Sequence, residues 1–306
     1  MSDLNAQLEG SSAAWRGDYR RHESLARHSS WRCGGSADHY FEPADRDDLV
    51  RFLAGHAVDP LLWLGLGSNL LIRDGGLRGT VIATGQLDRS HWTDAAHLYA
   101  EAGVPCARLA RAAATEDRAG LAFLAGIPGT LGGALRMNAG ALGGEIWQFV
   151  EWVEVIDRAG RIERRPRAEF VASYRHVRQP QPGWFIGAQL ALPDAALGVG
   201  NDRIREVLAR RSATQPTGKA SCGSVFKNPT GDYAGRLIEQ CGLKGHRIGG
   251  CEVSTVHANF IVNDGAARAA DIEQLIHFVR TTVADRTGIE LETEVLIVGE
   301  AAADEA

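Results

Sequence analysis

Cysteine is scarce in this chain, and the few cysteines are widely spread. The 306 residues include five cysteines, an odd number, and no two of them form a CxxC pair. This pattern argues against a disulfide-stapled scaffold and against a cysteine-rich zinc site, because both need paired or clustered thiols. The ten histidines form neither HxH nor HExxH, so no metal site is predicted. We expect buried, reduced thiols and a cytoplasmic location.

Long hydrophobic runs and an excess of positive charge are also missing. No stretch of about 18 uncharged apolar residues occurs, so the sequence predicts no membrane span, and the polar first residues do not resemble a signal peptide. The formal net charge is -5 at pH 7, which disfavours nucleic-acid binding because that function needs a basic surface. With 44% hydrophobic and 23% charged residues, the composition predicts a globular chain of one large or two medium domains.

Glycine, in contrast, is abundant. Of the 306 residues, 36 are glycine, which is about 12% against about 7% in an average protein. Five lie in GLGSNLLIRDGGLRG, from Gly65 to Gly79, and eight in GLAFLAGIPGTLGGALRMNAGALGG, from Gly120 to Gly144. Glycine lets the main chain approach a ligand and expose consecutive N–H groups, which suits a phosphate or pyrophosphate. We interpret the two segments as candidate phosphate-binding loops, with tight turns as the alternative.

These loops fit neither of the two common nucleotide-binding motifs. The first lacks the third glycine of GxGxxG, and neither contains GKS or GKT. A Rossmann dinucleotide fold and a P-loop are therefore disfavoured. A phosphate-bearing cofactor held by a different fold remains as the hypothesis.

Hydrophobic patterning predicts a chain of α/β or α+β class in which strands and helices alternate. A composition shift at SATQPTGKASCGS marks a domain boundary. The predicted strands are 38–43, 60–65, 79–85, 97–104, a hairpin around Ala159-Gly160, 184–192, a strand near 258–262 and a closing strand in LETEVLIVG. The predicted helices run from 45 along Leu49, Phe52 and Leu53, from Pro105 to about Arg118, over 202–211 and 234–241, and from an Asp271 cap to Gly288.

Six motifs in this order resemble one known family: LGLGSNLLIRDGG, LAGIPGTLGGALRMNAGALGGEI, SYR, GSVFKNP, VSTVHANFIVN and LETEVLIVGE. From about Leu25 to Glu300 the chain resembles the UDP-N-acetylenolpyruvoylglucosamine reductase (UDP-N-acetylmuramate dehydrogenase) family, bacterial flavoenzymes of peptidoglycan precursor synthesis, in its compact type II form. The resemblance implies an α+β FAD-binding fold of the PCMH or vanillyl-alcohol-oxidase type. Residues 1–24 would form a tail, 25–212 the FAD-binding domain with subdomains of about 25–85 and 86–212, and 213–306 a substrate-binding domain whose last strand returns to the active site.

The resemblance also implies the reaction and its partners. NADPH would reduce UDP-N-acetylglucosamine enolpyruvate to UDP-N-acetylmuramate through FAD, with small molecules as partners, no nucleic acid, no membrane and a monomeric chain. The residues expected to bind FAD are Gly65, Leu66, Gly67, Ser68, Asn69, Ala125, Gly126, Ile127, Pro128, Gly129, Gly132, Gly133, Asn138, Ala139 and Gly140. The residues expected to touch the substrate are Tyr174, Lys227, Asn228 and Asn259.

Three residues match the family's catalytic positions, and each suits the implied chemistry. Hydride addition to the enolpyruvyl group builds negative charge on its α-carbon and carboxylate, so the site needs donors at the carboxylate and an acid for the α-carbon. Arg175, in SYR, would hold the carboxylate with its planar guanidinium, and Ser224, in GSVFKNP, would donate the proton. Glu294, in ETEV, would lie beside the carboxylate, either protonated or sharing a proton so that it can donate; Glu292, two residues earlier, is its rival.

Two other functions remain open at this point. Another PCMH-type flavin oxidoreductase, such as a sugar oxidase, would share the fold, although GSVFKNP and ETEV speak against it. A nucleotide-binding module without catalysis would not need Arg175, Ser224 and Glu294.

The chain departs from the family pattern at three places. Val177 stands where serine is usual, and Arg136 stands where an uncharged residue is expected. No lysine occurs shortly before Gln215, so the lysine that meets the substrate is not fixed.

Overall fold

Short strands and helices alternate along most of the chain, and the computed structural model describes residues 15–302. The α-helices are α1 (Arg46–Gly55), α2 (Cys106–Thr115), α3 (Leu131–Met137), α4 (Val199–Thr214), α5 (Ala234–Gln240) and α6 (Ala269–Thr287). The strands are β1 (Asp18–Ser24), β2 (Ser36–Glu42), β3 (Leu61–Leu64), β4 (Leu70–Ile72), β5 (Leu77–Ala83), β6 (Ser90–Trp92), β7 (His97–Glu101), β8 (Gly140–Ala141), β9 (Gly144–Glu145), β10 (Val150–Ile156), β11 (Ile162–Pro166), β12 (Val171–Ser173), β13 (His176–Arg178), β14 (Trp184–Ala191), β15 (Arg247–Ile248), β16 (Cys251–Val253), β17 (Ile261–Asn263) and β18 (Leu296–Val298).

Several helix ends follow directly from local sequence. Asp45 caps α1, and its side chain accepts a hydrogen bond from the amide of Asp48, as capping aspartates commonly do. The predicted apolar face of α1 is buried at Leu49, Phe52 and Leu53. Gly288 ends α6 in the left-handed conformation, with φ 73°, which glycine adopts without a steric penalty. The sequence-based predictions of these helix faces and ends are confirmed.

The described part of the chain forms two compact units, each made of segments that are separate in sequence. The first unit contains residues 15–21, 39–65 and 79–207. A four-stranded sheet has the order β1-β2-β5-β3, and a five-stranded sheet has the order β11-β10-β14-β7-β6. β3 and β5 pair in parallel, and α1 lies between β2 and β3 in the chain, which is the predicted strand–helix–strand order. The larger core of this unit packs α2, α3 and the inner face of the five-stranded sheet.

The second unit contains residues 22–38, 66–78 and 208–302. Its core packs α5 and α6 with the three-stranded sheet β15-β16-β17. β4 and β18 pair in parallel, with Leu70 opposite Leu296. The chain changes unit within β1, β2, β5 and α4, and also between Gly65 and Leu66 in the loop after β3. No helix within residues 15–302 is both long and apolar enough to cross a membrane.

Four local predictions need correction. The segment interpreted as a tail ends in β1, and its residues 1–14 lie outside the described part of the chain. Asp271 is the third residue of α6, where its carboxylate accepts from the amide of Arg268. Helix α2 ends at Thr115 rather than near Arg118. The closing strand is only Leu296–Val298, because the residues before it pair with the GSVFKNP segment through an isolated bridge.

Candidate active site

The first glycine-rich loop begins where β3 ends, and Gly65 lies against Thr130. A Cβ placed on Gly65 would come within 2.6 Å of the Thr130 hydroxyl oxygen, so no larger residue fits there without displacement. That hydroxyl is buried and has no hydrogen-bond partner among the described residues. A buried donor without a partner beside bare, exposed backbone suits a ligand rich in acceptor oxygens. These residues therefore fit the phosphate-bearing cofactor that the two glycine-rich loops indicate.

Two residues later the same loop packs against the chain segment that follows β1. Gly67 has φ +59°, and a Cβ there would lie 1.9 Å from the carbonyl oxygen of His28. The Gly67 carbonyl accepts a hydrogen bond from the amide of Ser30 at 3.1 Å. Only glycine satisfies both the positive φ and the close approach. The amide side chain of Asn69 donates to the Glu294 carbonyl oxygen at 3.1 Å, so it holds the main chain at a predicted catalytic residue.

Asn138, at the end of α3, uses its side chain inside the protein. The residue is fully buried and has φ 43°. Its side-chain NH2 donates to the Glu145 carboxylate at 2.8 Å and to the Ser173 carbonyl at 3.0 Å. Because both donor positions are used, the side-chain amide does not face a ligand. The sequence predicted Asn138 as a cofactor contact. In the structure its side chain instead binds the main chain of the β12–β13 hairpin.

Arg175 occupies the tip of this hairpin. Ser173 pairs with His176, so Tyr174 and Arg175 are the two turn residues between β12 and β13. Arg175 has φ +54°, a conformation that this second turn position commonly gives to glycine. A bulky residue held there is a strained feature of the kind that accompanies functional sites. Its guanidinium donates to the Gly140 carbonyl at 3.1 Å and lies 5.0 Å from the Tyr174 ring centre.

Ser224 and Glu294 belong to two segments of the second unit that are joined by main-chain hydrogen bonds. The amide of Glu294 donates to the Val225 carbonyl, and the amide of Lys227 donates to the Glu292 carbonyl, both at 2.8 Å. Ser224 and Glu294 are each half-buried. The structure therefore brings the predicted proton donor and the predicted glutamate onto paired segments.

Glu292, the rival of Glu294, is engaged elsewhere. Its carboxylate pairs with the Lys227 ammonium at 2.5 Å, and the Glu292 side chain is 73% exposed. This pairing makes Glu294 the better candidate for a donor to a substrate carboxylate.

The remaining predicted substrate contacts differ in their surroundings. Tyr174 is 45% exposed. The side-chain oxygen of Asn228 accepts from the amide of Ala234 at 3.1 Å, which fixes the start of α5. Asn259 is only 4% exposed, and its side chain is bonded to the main chain of Phe226. The sequence prediction that Asn259 touches the substrate does not fit this burial.

Thr130 and His257 lie within the motifs LAGIPGTLGGALRMNAGALGGEI and VSTVHANFIVN, but neither is among the residues predicted to form the site. Burial, followed by the nearby Lys244, lowers the pKa of His257, and its Nδ1 accepts from the Asn259 amide at 3.2 Å. The fold sets their contacts: Thr130 lies against Gly65 of a distant segment, and the Nδ1 of His257 accepts from the main-chain amide two residues later. Within residues 15–302, no group of three or more histidine, cysteine, aspartate or glutamate side chains could hold a metal ion.

Comparison with known proteins places the fold and then the family. Residues 37–165 match the FAD binding domain family, so the first part of the chain defines a flavin-binding protein. Residues 215–298 match the C-terminal domain of UDP-N-acetylenolpyruvoylglucosamine reductase. The α+β FAD-binding fold predicted from the motifs is confirmed.

The similar proteins cover nearly the whole chain. The UDP-N-acetylenolpyruvoylglucosamine reductase of Methylococcus capsulatus is 57% identical over 94% of this chain and 95% of its own length. That of Nitrosococcus oceani is 52% identical, covering 95% and 99%. The crystal structure of the Thermus caldophilus reductase gives a TM-score of 0.80 at 33% identity, covering 93% of this chain and 99% of that chain. The chain belongs to the UDP-N-acetylenolpyruvoylglucosamine reductase family.

Proposed function

We propose that this chain is a flavin-dependent oxidoreductase that uses NADPH to reduce the enolpyruvyl group of UDP-N-acetylglucosamine enolpyruvate. The product is UDP-N-acetylmuramate, a precursor of peptidoglycan. The observation that carries the proposal is the identity of 57% with a curated reductase over 94% of the chain. A non-catalytic nucleotide-binding module would not explain why Ser224 and Glu294 lie on paired segments.

Bound FAD would supply hydride transfer from NADPH to the enolpyruvyl group. The chain would hold it through the two glycine-rich loops, from Gly65 to Asn69 and from Ala125 to Gly133, with the Thr130 hydroxyl as an additional donor. Ala139 and Gly140 would lie along the same cofactor. For Asn69 the proposed contact is through the main chain, because its side-chain amide donates to the Glu294 carbonyl. Asn138 is fully buried, so its proposed role is to hold the hairpin that carries Arg175 rather than to touch FAD.

Arg175 is the proposed ligand of the substrate carboxylate. A guanidinium presents parallel N–H groups that match the two oxygens of a carboxylate. The Gly140 carbonyl and the Tyr174 ring hold this side chain in one direction. A cation fixed in this way stabilises the negative charge that forms when hydride reaches the enolpyruvyl group, without reorganisation at that moment.

Ser224 and Glu294 are proposed to complete the reaction. Ser224 would give its hydroxyl proton to the α-carbon, and Glu294, protonated, would donate to the carboxylate as charge develops. A serine hydroxyl is a weak acid, so the strongly basic carbon must be held within hydrogen-bond reach of it. Tyr174, Lys227 and Asn228 are the proposed contacts to the rest of the substrate.

The wider assignments rest on the same family. Residues 25–212 are proposed to bind FAD and residues 213–306 the substrate, with the C-terminal segment returning to the active site through Glu294. The chain is proposed to act as a monomer in the cytoplasm. All five cysteines are buried free thiols, which suits a reducing compartment.

One assay tests the proposed function. The purified protein is expected to be yellow, with flavin absorption at about 450 nm, and to oxidise NADPH steadily only when UDP-N-acetylglucosamine enolpyruvate is present. A sugar oxidase would instead be reduced by a substrate alcohol and reoxidised by oxygen. NADPH oxidation that is independent of the enolpyruvyl substrate, or a colourless protein that does not take up FAD, would contradict the proposal.

A further inference from the structure

The main chain directly after Ser224 is held by a single buried residue, Asn259. The Asn259 carbonyl accepts from the amide of Val225 at 2.9 Å. Its side-chain oxygen accepts from the Phe226 amide at 2.9 Å, and its side-chain NH2 donates to the Phe226 carbonyl at 2.8 Å. One residue therefore satisfies three of the four main-chain polar groups of Val225 and Phe226, in the segment that carries the proposed proton donor.

The other side of the same segment is held as well. The Val225 carbonyl accepts from the Glu294 amide at 2.8 Å. All four main-chain polar groups of Val225 and Phe226 are thus paired, two of them with the Asn259 side chain. Val225 and Phe226 are 0% and 2% exposed, so water cannot replace a lost partner without opening the core.

Asn259 is itself held in place by its neighbours in the chain, His257 and Phe260. Its amide donates to Nδ1 of His257 at 3.2 Å, and the His257 ring packs against Phe260 with ring centres 4.9 Å apart. At 4% exposure, Asn259 offers no polar atom to a ligand, since both side-chain atoms are engaged. A direct contact with the substrate is therefore the poorer explanation of this residue.

We propose that Asn259 is a positioning residue, which holds the Val225–Phe226 main chain so that the Ser224 hydroxyl is placed for proton transfer. This inference rests on the proposed function, and it changes the role of Asn259 from substrate contact to support of the proton donor. Proton transfer needs heavy atoms about 2.6–3.2 Å apart, and misplacement by about 1 Å from a remote change can lower a rate by about a hundredfold.

The test compares the two half-reactions of the flavin-loaded enzyme in Asn259→Ala. The rate of flavin reduction by NADPH should stay within about twofold, because it does not need the Ser224 proton. The rate of reoxidation by UDP-N-acetylglucosamine enolpyruvate should fall by about ten- to a hundredfold, with the substrate Kd within about threefold. Asn259→Asp, which keeps the shape and the acceptor, should fall between the wild type and Asn259→Ala.

Asn263 provides a matched control four residues along the chain. It is also a buried asparagine, 6% exposed. Its side-chain NH2 donates to the Trp31 carbonyl at 2.7 Å, away from residues 224–227. Asn263→Ala should lose stability comparably and affect the two half-reactions equally. A substrate Kd raised more than tenfold in Asn259→Ala with an unchanged rate would overturn the inference in favour of direct binding. Equal losses in both half-reactions would reduce Asn259 to a structural role.

Hydrogen exchange separates this inference from the proposed function. In Asn259→Ala the Phe226 amide, which loses its side-chain partner, should lose protection selectively, whereas Asn263→Ala should leave it protected. Unchanged protection of the Phe226 amide in Asn259→Ala would refute the positioning role of Asn259 even if the enzyme is active. A wild-type protein that lacks the reductase activity would contradict the proposed function, and the exchange pattern would still decide whether Asn259 holds this segment.

Discussion

Gly65 and Thr130 approach so closely that a Cβ on Gly65 would lie 2.6 Å from the Thr130 hydroxyl oxygen. Gly65→Ala should therefore displace the unpartnered hydroxyl and fill the space proposed for the cofactor phosphate. We expect at least a tenfold weaker Kd for FAD, measured by flavin fluorescence, with the far-UV circular dichroism unchanged. Gly55→Ala is the control, since nothing lies within 4 Å of a Cβ at Gly55. Unchanged FAD affinity in Gly65→Ala would remove this loop from the cofactor site.

Ser224→Ala tests the proposed proton donor. Flavin reduction by NADPH should proceed normally, while the rate of reoxidation by the enolpyruvyl substrate should fall by at least about a hundredfold, the range of one general-acid contribution. Rapid-mixing absorbance measurements resolve the two steps. Comparable losses in both half-reactions would show that Ser224 does not act as the acid.

Arg175 allows stability and activity to be separated, because its backbone is strained. Arg175→Gly should raise the free energy of unfolding by about 1 kcal/mol, since glycine adopts φ +54° without the penalty of a side chain. The same variant should lose substrate reduction, because the carboxylate loses its cation. Arg175→Ala, which removes the charge and keeps the strain, should lose activity without gaining stability. A stable Arg175→Gly enzyme with normal activity would exclude the proposed role.

Local patterns predicted the elements whose ends and faces are set by neighbouring residues, as at Asp45 and Gly288. The catalytic candidates Arg175, Ser224 and Glu294 came from motifs rather than from residue types, because an arginine in a turn or a serine in a loop is common. Pairings between distant segments were not predictable. The partners of Asn69 and Asn259 lie 225 and 33 residues away, so sequence alone indicated polar side chains near a site and not which groups they bind.

The cap of α6 shows the same limit and gives a stability prediction. The Asp74 carboxylate accepts from the amides of Ala269 and Ala270 at 3.0 and 2.9 Å, a role that the sequence had given to Asp271. Asp74→Ala should lower the free energy of unfolding by about 1–2 kcal/mol, measured by urea denaturation. Asp271→Ala should cost less, because it removes one main-chain bond to the Arg268 amide and an exposed ion pair with the Arg268 guanidinium, and exposed ion pairs contribute little. A larger loss in Asp271→Ala would restore the original assignment.

Buried thiols predict that stability falls in alkaline solution. Burial raises the pKa of Cys106 from 9.0 to about 12, and Cys33, Cys222 and Cys251 are raised likewise. The unfolded chain loses these protons from about pH 9 while the folded chain keeps them, so the free energy of unfolding decreases as pH rises through this window. Cys106 alone should contribute a slope of about 1.4 kcal/mol per pH unit. Urea unfolding of the wild type and of Cys106→Ala between pH 8 and about 11 measures this slope. The slope should be shallower in the variant. Equal slopes would show that the Cys106 thiol does not titrate as its burial requires.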